Sequence, residues 1–130
     1  MIALDTNVLV RYLTQDDARQ AEMATRFIEV ELSPRRPGFL SAVVLCEILW
    51  VLEGCYGLDR VGLVTIVEGL LSSRQIVVEN AVAVKAALRH DSADLSDAII
   101  HEIGRARHCQ RTVTFDRKFA RLDGVELLGV

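Results

Sequence analysis

Residues 1–13, MIALDTNVLVRYL, decide how the rest of the chain is read. Ile2, Ala3 and Leu4 have the character of a buried strand. Val8, Leu9, Val10 and Leu13 recur at the spacing of an apolar helix face over about 7–13. Asp5 stands at the junction between them. A carboxylate so close to a core is costly unless something compensates its charge.

Outward from this stretch, short apolar runs alternate with helical patterns. Asp16 or Asp17 can cap a helix carrying Ala21, Ala24, Phe27 and Ile28, and Pro34 and Pro37 then mark a loop. Residues 38–40 form a brief strand, and Ser41 can cap a helix with Val44, Leu45, Ile48, Leu49 and Leu52 on its apolar positions, ended by Gly54 and Gly57. Asp59 can cap a helix through Leu71, weakened by Gly62 and Gly69. The run 75–79, QIVVE, is the clearest strand, followed by helices over about 82–90 and 94–107. Residues 111–115 read as a strand, 116–122 as a short helix and 125–128 as a last strand. Repeated strand–helix–strand order implies a mostly parallel sheet covered by helices on both faces. Residues 1–130 are expected to form a single domain, since that length suffices for one core.

Composition excludes several classes. Apolar residues make up 51% of the chain with only 5% aromatics, so the interior is expected to be aliphatic. No apolar run approaches the roughly 20 residues that span a bilayer, and the start lacks the basic segment of a secretory signal. Cys46, Cys55 and Cys109 are scattered without CxxC spacing, which suggests reduced, small apolar residues in a cytoplasmic protein rather than a zinc site. The net charge of -3 predicts no general affinity for nucleic acid or acidic membranes. Yet Arg105, Arg107, Arg111, Arg117, Lys118 and Arg121 crowd the last quarter of the chain. Of the 15 basic residues only Lys85 and Lys118 are Lys, and Arg is the better bidentate binder of phosphate.

Four acids fall where apolar residues would be expected. Asp5 and Asp116 follow strands; Glu47 and Asp97 stand near the starts of helices, with Asp94 one turn before Asp97. Each has a local explanation: a cap for Asp94 and Asp116, an Asx-type turn for Asp5, an exposed helix stripe for Glu47. Together they are harder to dismiss. Ligands of parallel α/β sheets bind beyond the carboxyl ends of the strands, and carboxylates gathered there would raise one another's pKa values until a divalent cation relieved them. All-oxygen sites suit Mg²⁺ or Mn²⁺, and the chemistry they most often support is in-line displacement at phosphorus. Thr6, Asn7 and Thr114 adjoin the acids and can orient them. His101, four residues after Asp97, is a weak ligand candidate given the oxygen preference of Mg²⁺.

LDTNVLVRYL, SAVVLCEILWVL, DLSDAII and TVTFDRKF resemble the four acidic motifs of the PIN-domain family, in the family's order and approximate spacing. The layout is most similar to VapC-type members, the toxins of type II toxin–antitoxin pairs. The resemblance implies a three-layer α/β/α fold with a five-stranded parallel sheet in 3-2-1-4-5 order. It implies a Mg²⁺- or Mn²⁺-dependent endoribonuclease whose site maps onto Asp5, Glu47, Asp97 and Asp116, with Asp94 as an accessory acid. It also implies a homodimer held inactive by an antitoxin protein.

Other phosphoryl chemistries fit less well. A dehalogenase-like phosphatase wants an acid where Asn7 stands, and a phosphorelay receiver wants a phosphoacceptor Asp after the third strand, where the chain reads Glu79-Asn80-Ala81. A non-toxin PIN nuclease of RNA processing and a non-catalytic metal- or partner-binding module remain as alternatives.

Overall fold

A computed structural model describes residues 1–129. The chain divides into two compact units, Met1–Glu79 and Asn80–Val130. Both are α/β, and every strand pairing is parallel among the described residues.

In the first unit, β1 (Ile2–Ala3) leads into α1 (Thr6–Thr14) and α2 (Ala18–Arg26), then β2 (Gly38–Leu40), α3 (Ala42–Tyr56), α4 (Arg60–Ser72) and β3 (Ile76–Val78). β2 lies between the other two strands, with Ile2 opposite Gly38 and Gly38 opposite Ile76. Gly38 is required by this approach: a Cβ there would stand 2.7 Å from Leu4 Cδ1 and 2.9 Å from Leu32 Cδ1. Helix starts follow local chemistry. The side chains of Asp17, Ser41 and Asp59 accept hydrogen bonds from Gln20, Val44 and Gly62 backbone N–H groups, and α3 ends on Gly57 in the left-handed conformation. The core is aliphatic, with Leu9, Leu40, Leu45 and Ile48 fully buried, each contributing about 1.5–3 kcal/mol relative to exposure. Beyond Arg26 the helix widens into a π-helical turn, Phe27–Glu31, which the apolar spacing did not signal.

The second unit contains α5 (Ala81–Ala87), α6 (Leu95–Ala106), β4 (Thr112–Thr114) and β5 (Val125–Leu127), with Thr112 opposite Val125. α5 stops three residues short of the expected His90, its end tightening into bonds from Leu88, Arg89 and His90 N–H to the carbonyls three residues back. The His90 ring instead meets the buried Glu102 carboxylate at 2.7 Å. The helix expected over 116–122 is a 3₁₀ turn at Phe119–Arg121, because Phe119 and Leu122 are drawn into a cluster with Ala93 and Val125.

The strands therefore lie in a three-stranded and a two-stranded sheet, in orders 3-2-1 and 4-5, rather than in one five-stranded ladder. No described helix is long and apolar enough to cross a membrane. Cys55 and Cys109 lie at the surface rather than filling the core.

Candidate functional site

In the first unit, Asp5 occupies the cap position of α1 in extended conformation, and its carbonyl accepts from Val8 N–H at 3.2 Å. Its carboxylate makes no capping bond, so the Asx-type turn is not formed and the exposed side chain is left for other use. The next residue, Thr6, donates its hydroxyl to Glu47 Oε1 at 2.9 Å. Glu47 is exposed on the second turn of α3. Glu79, at the carboxyl end of β3, accepts from Ala42 N–H at 2.8 Å and holds the start of that helix beside Ser41. Sequence reading did not single out Glu79; the signal was its place at the end of the clearest strand. A largely apolar groove of about 520 Å³ runs along β1, α1 and α2, with Asp5, Asn7, Met23 and Phe27 in its lining.

In the second unit, three carboxylates converge. Asp94 caps α6, its Oδ1 accepting from Ser96 and Asp97 N–H at 2.9 and 3.2 Å. Asp97 is half-buried one turn in, and its pKa is raised by burial first and then by the charges of Asp94 and Asp116. Asp116 follows β4; its N–H donates to Thr114 Oγ1 at 3.0 Å, and its Oδ1 accepts from Lys118 and Phe119 N–H at 2.8 and 3.1 Å. The caps foreseen for Asp94 and Asp116 are thus formed, and each engages one oxygen only.

His101 is no ligand. It is 2% exposed, with Nδ1 2.7 Å from Thr112 Oγ1 and Nε2 3.1 Å from the Asp123 carbonyl. A carbonyl only accepts, so Nε2 carries the proton. The ring ties α6 to the start of β4 and to the turn before β5. Gly124 in that turn has φ +84, and a Cβ there would stand 3.2 Å from His101 Cε1.

The basic cluster divides by partner. Arg105 faces Glu102 at 3.4 Å and Arg111 faces Glu126 at 3.1 Å. Arg107, Arg117, Lys118 and Arg121 are exposed.

Among the described residues, no three His, Cys, Asp or Glu side chains are arranged to grip an ion by themselves. A hard cation does not demand that, since Mg²⁺ keeps several waters and takes one or two carboxylates together with substrate phosphate. The donors that Asp94, Asp97 and Asp116 offer are all oxygens, the kind that hard divalent cations take.

In each unit a parallel strand is followed at its carboxyl end by a carboxylate, Asp5 and Glu79 in the first and Asp116 in the second, and both units are α/β. The chain belongs to the PIN domain family, whose model matches residues 2–125. PIN domains are generally nucleases and typically use divalent metals. No curated protein matches the sequence.

Proposed function

We propose that the protein is a Mg²⁺- or Mn²⁺-dependent endoribonuclease that hydrolyses RNA phosphodiester bonds. The observation that carries this reading is the gathering of three acids in the second unit: Asp94 caps α6 and accepts from the Asp97 N–H, Asp97 is half-buried one turn in, and after burial itself the charges of Asp94 and Asp116 raise its pKa. A half-buried carboxylate held at a cost beside two others is what a cation-dependent site requires. On this reading residues 1–130 act as one PIN domain, supported by the family match running from residue 2 to 125 across the boundary at Glu79.

Asp5, Asp97 and Asp116 would hold the cation, with Glu47 acting through water and Asp94 as a weak ligand or as the group that orients Asp97. When bound, such a cation neutralises charge at the phosphoryl group and makes a water more acidic. Thr6 fixes one oxygen of Glu47 and leaves the other free to accept a proton from water. Thr114 fixes the backbone at Asp116, and Asn7 lies beside Asp5. Arg117 and Lys118, nearest Asp116 in sequence, hold the RNA phosphates, with weaker help from Arg107 and Arg121; Arg105 and Arg111 contribute less because acids already face them.

The motif layout supports a narrower reading: the toxin of a type II pair, cytoplasmic, homodimeric and held inactive by its antitoxin. Assay of the purified protein on RNA with Mg²⁺ or Mn²⁺, beside EDTA and Asp97→Asn controls, tests the central claim. Cleavage that survives both controls would overturn it. A protein that binds metal and never cleaves is the non-catalytic module. A small adjacent reading frame whose product suppresses cleavage supports the toxin reading, and its absence favours a PIN nuclease of RNA processing.

A further inference from the structure

Phe115 stands directly before Asp116 and is 78% exposed. Four residues later Phe119 is 6% exposed, packed with Ala93, Leu122 and Val125. The same short segment buries one phenyl ring and leaves the other in water, so Phe115 forgoes the stabilisation that burial brings. Phe115 is the first residue after β4, in which Thr112 and Thr114 are half-buried and Val113 is exposed. Leu128 N–H donates to the Thr114 carbonyl at 2.7 Å, which fixes the backbone entering Phe115. Gly129 lies against one edge of the ring: a Cβ there would stand 3.7 Å from Phe115 Cε1.

A single exposed apolar residue is no site by itself. Phe115 differs in its company. A reaction carboxylate follows it immediately, and Arg117 and Lys118 stand two and three residues on, both exposed. The ion pairs of this unit use His90, Arg105 and Arg111 instead. An open aromatic face beside two cations matches the chemistry of an unpaired nucleobase with its flanking phosphates.

We propose that Phe115 is a base-stacking platform for single-stranded RNA, with Arg117 and Lys118 on the neighbouring phosphates. The proposal rests on the ribonuclease reading and adds the residue that would hold an unpaired base, since the bases of a duplex are already stacked on one another.

Affinity for a labelled single-stranded RNA is measured by anisotropy with Ca²⁺ in place of Mg²⁺, and KM and kcat are measured separately with Mg²⁺ or Mn²⁺. Phe115→Ala and Phe115→Leu should each weaken binding about 10-fold and raise KM with little change in kcat, within the range seen for stacked bases. Phe115→Tyr and Phe115→Trp should retain wild-type affinity. Should the alanine variant fold poorly by circular dichroism, the leucine and tyrosine variants carry the comparison. Leucine binding as tightly as phenylalanine would overturn the proposal, because an apolar surface without a flat face would then suffice. So would an alanine variant that binds RNA normally but sediments as a smaller species, which would make Phe115 a contact between copies. If the wild type cleaves RNA and no Phe115 variant alters binding, the stacking role fails and the nuclease reading stands. If the wild type neither binds nor cleaves RNA, both fall.

Discussion

Thr6 donates its hydroxyl to Glu47 at 2.9 Å across 41 residues of chain, joining the start of α1 to the second turn of α3. The bond fixes one Glu47 oxygen at Thr6, the residue that follows Asp5. Thr6→Val is expected to lower cleavage about 10-fold, the lower end of what outer partners of metal-binding groups contribute. The bond is exposed, so the melting temperature should move little. Thr6→Ser, which keeps the donor, should restore activity. A valine variant with full activity would leave the bond as a surface detail.

Asp97 bears a different relation to stability. Burial and the Asp94 and Asp116 charges raise its pKa, so its ionised form costs stability at neutral pH. Asp97→Asn is expected to raise the melting temperature in EDTA, on the order of a few degrees, while abolishing cleavage. Millimolar Mg²⁺ or Mn²⁺ should stabilise the wild type through binding to the native state and stabilise the variant less. Calorimetry with and without cation checks both. A variant that melts below the wild type in EDTA contradicts the picture.

Glu102 should dominate the acid side of the stability profile. Burial pushes its pKa up, but the His90 hydrogen bond and the charges of Arg105, His90 and His101 outweigh that and hold it below the usual glutamate range. A depressed carboxylate pKa contributes stability that is present above the ordinary value and lost as pH falls through the folded one. Melting curves should therefore drop on acidification below the usual glutamate range. Glu102→Gln should flatten that limb, and an unchanged acid limb would dismiss the assignment.

Gly124→Ala is expected to cost about 1–3 kcal/mol. It combines a positive φ of 84 with a Cβ 3.2 Å from the His101 ring. The effect should reach the site, because the displaced ring holds α6, and with it Asp97, against Thr112. Urea denaturation gives the first quantity, and cation affinity should fall with it. A destabilised variant with unchanged cation affinity would confine His101 to the core.

What was legible in the sequence was mostly local. Asp17, Ser41, Asp59 and Asp94 announce helix starts because a cap bonds backbone only two or three residues away. The five strands were readable as short β-branched and aliphatic runs bounded by turns, and of the acids singled out by charge in apolar settings, Asp97 and Asp116 lie close enough to feel one another's charge. Features that depend on distant partners were not readable. Glu79 caps α3 from 37 residues away, and His90 leaves its helix for Glu102. His101 on its spacing alone resembled a ligand; only the positions of Thr112 and Asp123 show both nitrogens already engaged.

Asp94 and Asp116 each commit Oδ1 to the opening of the turn that follows. On the proposed nuclease reading, folding and chemistry would draw on opposite halves of the same carboxyl group. Alanine at either position removes both halves and confuses a dead catalyst with a misassembled one, whereas asparagine keeps an acceptor for the backbone and loses only the charge. The same division limits how these positions can drift: a substitution tolerated by the reaction must also begin a helical turn, so few residue types can satisfy both demands.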